Sequence, residues 1–184
     1  ASNASSDWAD PNFAVTGGTF SDVSVLKYLA SGADVTVKLA ADATADVVIP
    51  ADTTVTLDLN GKTLTNVSGD TITNNGTLTI TGEGKVDNVT HGKADIYNNG
   101  AVTLNGGSYT RSQEADNTTS SSGGNSYYNL LNHGTMTIND GVKVISTGHF
   151  SSLIDNGYFS FGSKDPRSGY VAGTNMENPS LTIN

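Results

Sequence analysis

Short runs of alternating apolar and polar residues follow one another along the chain, each opened by a turn of asparagine and glycine. The clearest copy is the turn Asn74-Asn75-Gly76 followed by Thr77-Leu78-Thr79-Ile80. Leu78 and Ile80 fall on one side and the threonines on the other, because successive side chains of an extended strand point to opposite faces. Glycine after asparagine suits a turn, where a positive φ is often needed. The pattern predicts a turn followed by a half-buried strand.

This motif of a turn followed by a strand recurs along the chain, which indicates a repeat architecture. Full copies begin at Asn98, Asn132 and Asp155, with partial copies at Thr54-Val55-Thr56-Leu57 and Ser180-Leu181-Thr182-Ile183. A second strand precedes each turn, marked by Ile72, Ile96, Leu130 and Leu153, and a third is marked by Lys85-Val86 and Val142-Lys143-Val144. Coils of about 23 residues with two or three short strands predict an all-β fold, a parallel β-helix of about seven coils.

Stacked coils place equivalent side chains above one another. The predicted inner row is Leu57, Leu78, Val102, Met136, Phe159 and Leu181. Asn74, Asn98, Asn132 and Asp155 are expected to form a ladder in which each amide bonds to the next. The segment from Ser21 to Gly32 is predicted to be a short N-terminal helix that covers the first coil, with Ser21 or Asp22 as its N-cap and Gly32 as its stop.

The phrase Val55-Thr56-Leu57-Asp58-Leu59-Asn60-Gly61-Lys62-Thr63-Leu64, with Gly76-Thr77-Leu78-Thr79-Ile80, resembles the pectin-lyase-like right-handed β-helix repeats of large surface proteins from gut Firmicutes and Actinobacteria. The resemblance covers roughly residues 13–184. It implies a right-handed helix, export, and in many members cell-wall anchoring with adhesion or glycan binding. Related coils occur in phage fibres and in polysaccharide lyases, so these stay open as alternatives.

Residues 1–12 are expected to be a flexible end or a cloning remnant, and residues 13–184 a single domain truncated at its C-terminal end. The parent protein is expected to continue beyond it. The chain has no cysteine and a net charge of -9. The negative charge disfavours nucleic acid and anionic membranes as partners, since both reward positive charge. No apolar run is long enough to cross a bilayer. We therefore expect a secreted or cell-wall-anchored protein whose partner is a glycan or a host surface protein.

Catalysis by a β-helix of this kind needs stacked carboxylates on the outer face and a nearby basic residue. Asp58 aligns with Thr81 and Asn105, Asp70 with Ala94 and Tyr128, and Asp140 with Gly82 and Gly106. No column stacks two carboxylates, although lateral neighbours remain untested. His91, His133 and His149 lack metal-ligand spacing. We expect no catalytic residues, no metal ligands and no cofactor, with room left for a structural calcium ion.

One interval between repeats is about ten residues longer than the others and holds a polar insertion, residues 111–126. Solenoids often place insertions on the binding face. Tyrosine rings next to polar side chains suit sugars, because C–H faces stack on the ring while hydroxyls form hydrogen bonds. The predicted ligand-binding residues are Tyr109, Arg111, Tyr127, Tyr128 and His133. The alternative interpretation is a tolerated surface loop whose tyrosines pack against the coil.

Threonine pairs at Thr54 and Thr56, Thr77 and Thr79, and Thr135 and Thr137 are expected to align on one outer face. Regular threonine arrays occur in ice-binding β-helices. Ice binding is disfavoured here because Ala101 and Tyr158 interrupt the array as aligned from sequence. The expected function is a non-catalytic surface module for adhesion or carbohydrate binding. A structural spacer is the main alternative.

Overall fold

The computed structural model describes residues 13–90, 92–112, 128–146, 152–157 and 179–184. These ranges contain one 3₁₀ helix, Val23–Tyr28, and otherwise strands and turns. In chain order the strands are β1 (Val15–Phe20), β2 (Leu29–Lys38), β3 (Ala43–Thr44), β4 (Val47–Ile49), β5 (Thr54–Asp58), β6 (Lys62–Thr65), β7 (Ile72–Asn74), β8 (Thr77–Thr81), β9 (Gly84–Asp87), β10 (Ile96–Asn98), β11 (Ala101–Leu104), β12 (Ser108–Thr110), β13 (Tyr128–Asn132), β14 (Thr135–Ile138), β15 (Lys143–Ile145), β16 (Ser152–Asn156) and β17 (Ser180–Ile183).

The strands form three parallel sheets. Sheet 1 has the order β1-β2-β5-β8-β11-β14-β17, sheet 2 has the order β4-β7-β10-β13-β16, and sheet 3 has the order β3-β6-β9-β12-β15. From β3 onwards the chain visits the three sheets in turn, so each inner strand of a sheet pairs with one strand from the preceding circuit and one from the following circuit. The protein is thus all-β with parallel sheets, as a parallel β-helix requires.

The interior is filled by the apolar side of each strand. One row on sheet 1 is Val35, Val55, Leu78, Val102 and Met136, and every member is at least 98% buried. Burying each such side chain contributes about 1.5–3 kcal/mol. The alternation read from the sequence is therefore confirmed as the source of the core.

The predicted inner row needs two corrections. Leu78 pairs with Val55, while Leu57 pairs with Ile80 in the adjacent row. Phe159 lies outside the described residues, and the strand that pairs with β14 is β17, which places Leu181 beside Met136. Because a strand has the same apolar pattern after a shift of two residues, periodicity alone does not distinguish these registers.

Asparagines stack through the interior at the end of sheet 2. The Nδ2 of Asn74 donates to Asn98 Oδ1 (2.7 Å), the Nδ2 of Asn98 donates to Asn132 Oδ1 (2.7 Å), and the Nδ2 of Asn132 donates to Asn156 Oδ1 (2.6 Å). The predicted ladder is confirmed for its first three members. Its fourth is Asn156, because Asp155 pairs with Leu131 on the outward side of the strand.

The glycines of the repeated turn also stack. A Cβ on Gly100 would lie 2.1 Å from the carbonyl oxygen of Gly76, and one on Gly134 would lie 2.1 Å from that of Gly100. Glycine is required at these positions because the main chains of successive circuits approach too closely for any side chain.

The predicted N-terminal helix is shorter than expected. The Asp22 side chain caps it by accepting from the Ser24 N–H (2.8 Å). Gly32 does not stop the helix but lies inside β2 with a φ of 78°. Val23, Val25 and Leu26 are buried in the main core.

Candidate functional site

Tyr109, the first of the predicted sugar-binding residues, lies in the core. It follows Ser108 in β12, pairs with Val86 and Val144, and is 0% exposed. Its hydroxyl donates to the Gly106 carbonyl oxygen (3.1 Å), and burial raises the pKa of Tyr109 well above its usual range. The ring therefore presents no face to a ligand in this structure. The apolar partners Val86 and Val144 were the sequence signal for this placement.

Arg111 and Tyr128 are also buried, near the corner between sheets 3 and 2, and Tyr128 packs in a second apolar cluster with Ala94, Leu131 and Tyr97. The guanidinium Nη1 of Arg111 donates to the Tyr128 carbonyl oxygen (3.1 Å) and its Nη2 to the Thr90 carbonyl oxygen (2.8 Å). The two side chains are 3% exposed. Arg111 thus bonds main-chain carbonyl groups from two circuits of the chain. The two nitrogens that make these bonds stabilise the fold and do not face a ligand.

His133 is the predicted residue that remains partly exposed. Its ring meets Tyr97 edge to face, with centroids 5.2 Å apart, and Tyr97 Oη lies 3.4 Å from His133 Nδ1. Tyr97 was not singled out from the sequence, although its place one residue before Asn98 put it on the outward side of β10. Tyr127 lies outside the described residues, so the insertion itself stays a prediction.

A charged cluster occupies the same buried corner. Asp95 is fully buried beside the Asn129 side chain and the Asn88 main chain, and its carboxylate oxygens make no well-aligned hydrogen bond among the described residues. Burial raises the pKa of the Asp95 carboxyl well above its ordinary value; the nearby Arg111 charge opposes this and the Asp87 charge adds to it. Asp87 and Asp95 are neighbouring carboxylates at different positions of the repeat. A comparison of the same repeat position in successive circuits does not detect such lateral neighbours.

The Asp87 carboxylate accepts hydrogen bonds from β12 and from a residue that lies just beyond it. Its Oδ1 accepts from the Thr110 hydroxyl (2.6 Å) and the Ser112 N–H (2.9 Å), and its Oδ2 accepts from the Ser112 hydroxyl. Asp87 is 4% exposed and Asp95 0%. Both carboxylates are therefore shielded from solvent, and the hydrogen bonds recorded for this pair are those that Asp87 accepts from Thr110 and Ser112.

The outer face of sheet 1 carries a regular array of side chains. One column consists of threonine in all seven strands. Its members are Thr19, Thr36, Thr56, Thr79, Thr103, Thr137 and Thr182. At about 4.8 Å per strand, six intervals make a column roughly 29 Å long.

Of the two interruptions predicted in the array of threonine pairs, the one at Ala101 is confirmed. Ala101 takes the place of the first threonine of a pair, between Thr77 and Thr135, and the column of second threonines stays unbroken. Tyr158 lies outside the described residues, and the place after Thr137 is taken by Thr182 of β17. The error came from aligning the strand after Gly157 with β14, whereas the pairing partner begins at Ser180.

An asparagine stack borders the threonine column. Asn139 Nδ2 donates to Asn105 Oδ1 (2.6 Å), and Asn184 Nδ2 donates to Asn139 Oδ1 (2.7 Å). The outward residues on β8, β11, β14 and β17 are threonine, alanine and serine, and an asparagine follows each of the last three strands; all are uncharged. Charges appear on this face at β2 and β5, where Lys38 and Asp58 form an ion pair at 3.6 Å.

Cavities in the described part of the chain include a larger and a smaller one on different sides of the coil stack. The larger, of about 700 Å³, lies beside the 3₁₀ helix and is lined in part by Asp22, Asp42 and Asp46. These carboxylates already accept main-chain N–H groups, from Ser24, from Thr63, and from Val67, Ser68 and Gly69 respectively. The smaller, of about 320 Å³, is a shallow groove between Glu83 and Lys143 floored by glycine.

The described residues hold no group of three or more His, Cys, Asp or Glu side chains that could bind a metal ion. Within those ranges, no helix has the length and apolar character needed to cross a membrane.

Comparison with known proteins returned no match to a family model, to a curated protein or to a solved structure.

Proposed function

We propose that this chain is a non-catalytic module of a bacterial surface protein that binds a neutral glycan or a host surface protein through an extended outer face. The observation that carries the proposal is the outer face of sheet 1, with its unbroken threonine column and bordering asparagine stack. Hydroxyl and amide groups both donate and accept hydrogen bonds, as sugar hydroxyls do.

Charge supports the choice of a neutral partner. The face is uncharged from β8 to β17, and the chain as a whole carries -9. An acidic polymer would meet net repulsion without gaining an ion pair on this face. A neutral chain lying along the column would gain repeated weak contacts, and many copies on one cell would raise the overall avidity.

The proposal includes the finer architecture. We take the protein to be a right-handed parallel β-helix of about seven coils, exported and held at the cell surface. The seven strands of sheet 1 support the coil number. The buried apolar side of Val23–Tyr28 supports a covering role for the 3₁₀ helix at the first coil, since an open solenoid end exposes its core.

The test is a glycan and host-protein array probed with matched double variants. Thr103→Lys with Thr137→Lys places two charges in the centre of the threonine column, and binding is expected to be lost. Thr44→Lys with Thr73→Lys makes the same chemical change on sheets 3 and 2, and binding is expected to persist. Equal binding by both folded variants would exclude the sheet 1 face.

A third variant, lacking residues 113–126, tests the insertion in the same array. Loss of binding there, with the column variant unaffected, would move the site to the insertion. No binding by the wild-type chain to any neutral glycan or host protein would favour the structural-spacer alternative.

The uninterrupted column also favours a second candidate, binding to an ordered lattice such as ice. Inhibition of ice recrystallisation by the wild type, abolished in the column variant and kept in the control variant, is its signature. Release of sugar ends from polysaccharides by the pure protein would instead point to the enzyme alternative.

A further inference from the structure

Five Asn-Gly pairs occur in the sequence, and all lie in the described residues. They are Asn60-Gly61, Asn75-Gly76, Asn99-Gly100, Asn105-Gly106 and Asn156-Gly157. Such pairs are chemically labile. The glycine main-chain nitrogen attacks the asparagine Cγ and loses its proton, the Cγ–Nδ2 bond breaks, and ammonia leaves. Water then opens the resulting succinimide to aspartate or isoaspartate.

The five pairs differ in the structure, because the attacking glycine nitrogen already donates a hydrogen bond in four of them. The Gly61 N–H donates to the Glu83 carbonyl oxygen (2.6 Å), that of Gly76 to Asn74 Oδ1 (3.2 Å), that of Gly100 to the Asn74 carbonyl oxygen (3.1 Å) and that of Gly157 to the Asn132 carbonyl oxygen (2.8 Å). A nitrogen whose N–H is bonded in this way is held in place and has to break that bond before it reacts.

Asn105-Gly106 is the exception. The Gly106 N–H donates to no acceptor among the described residues. Asn105 is exposed and follows directly on β11, and its Oδ1 accepts from Asn139 Nδ2 (2.6 Å). This hydrogen bond draws electron density from the Asn105 carbonyl and makes Cγ a better electrophile. Its own Nδ2, the leaving group, is held by no acceptor in those residues.

We propose that Asn105 is a site of spontaneous deamidation in the folded protein, with aspartate and isoaspartate as products. The modification places a carboxylate on the uncharged part of the sheet 1 face, beside Thr103 and Asn139. Isoaspartate also lengthens the main chain by one methylene where Gly106 stacks closely on Gly82, so that a Cβ there would lie 2.7 Å from the Gly82 carbonyl oxygen. The site thus changes both the charge and the register of this face with time.

The experiment is incubation of the folded chain at mildly alkaline pH, followed by peptide mapping by mass spectrometry that separates aspartate from isoaspartate. Conversion is expected at Asn105 several-fold faster than at the other four pairs. The same incubation in urea removes the protection and should bring the five rates together. An Asn105→Gln variant should lose the fast conversion, because its ring closure would form a less favoured six-membered imide.

Equal rates at the five pairs in the folded chain would overturn the proposal, as would faster conversion at any of the four bonded glycines. An Asn139→Ala variant tests the activating hydrogen bond. Slower conversion of Asn105 in that folded variant supports the electrophilic role of Asn139, and an unchanged or faster rate contradicts it.

Discussion

Asp95 shows how far the environment of a single residue shapes its chemistry. It lies in the corner column between Thr71 and Asn129, where its main-chain N–H donates to the Asn129 carbonyl oxygen (2.8 Å). Its carboxyl faces the Arg111 and Asp87 charges, and full burial raises its pKa well above the ordinary value. A charged carboxylate in such a place costs free energy unless it is well paired.

We expect the stability of the wild type to fall as pH rises through the raised pKa of Asp95. A group whose pKa is higher in the folded state binds its proton more tightly there, so folding gains from acid and loses that gain as pH increases. Asp95→Asn keeps the shape without the ionisation. The difference in free energy of unfolding between variant and wild type should therefore grow in favour of the variant as pH rises.

The measurement is urea unfolding followed by circular dichroism at a series of pH values from weakly acidic to weakly alkaline. Asp140→Asn, which removes an exposed carboxylate, is the matched control. Parallel pH profiles for the wild type and Asp95→Asn would show that Asp95 does not titrate differently in the folded state.

At the scale of the elements, neighbouring strands are joined by side-chain ladders as well as by main-chain hydrogen bonds. The internal ladder begins at Asn74, and each rung makes bonds in two directions. Asn98 Nδ2 donates to Asn132 Oδ1 (2.7 Å), to the Thr135 carbonyl oxygen (3.0 Å) and to the Gly100 carbonyl oxygen (3.2 Å). Asn99, the next residue, makes a single exposed rung to Asn75 (3.0 Å).

These two adjacent residues provide a matched pair of substitutions. Asn98→Asp removes three donated hydrogen bonds and turns a carboxylate toward buried acceptor oxygens. Each buried group left unpaired costs about 1–3 kcal/mol, so we expect a loss above about 3 kcal/mol in the free energy of unfolding. Asn99→Asp should change it by about 0.5 kcal/mol or less, as exposed substitutions usually do.

Chemical denaturation at neutral pH measures both effects. Acidification should restore part of the stability of Asn98→Asp, because a protonated carboxyl again has a donor. Similar losses for the two variants would mean that the internal ladder contributes no more than the external one.

At the scale of the whole molecule, contacts run mainly between successive circuits of the chain. β8 and β11 have a partner on both sides, whereas β15, β16 and β17 each have one partner strand among the described residues. In such a stack, stability is close to a sum of each unit and its interfaces with neighbours. Local opening should therefore be easiest at the ends.

Hydrogen exchange should show this gradient. We expect the main-chain amides of β8, β11, β7 and β10 to exchange most slowly and those of β15 and β16 to exchange markedly faster. Exchange followed by mass spectrometry at neutral pH resolves these segments. Uniform protection across all three sheets would show that the stack opens only as one cooperative unit.

The sequence by itself determined, through its alternation, which side of each repeated strand fills the core, and, through its repeated motif, that the strands are short and parallel and that Asn74, Asn98 and Asn132 stack. It did so because strand periodicity and turn chemistry are local properties. Tertiary structure decided the registers between circuits: Leu57 beside Ile80, Asn156 on the fourth rung, and Thr182 after Thr137. Turns of unequal length shift these registers without changing the local pattern. It also buried Tyr109, Arg111 and Tyr128, because the burial of a side chain near a corner depends on which neighbouring circuit lies against it.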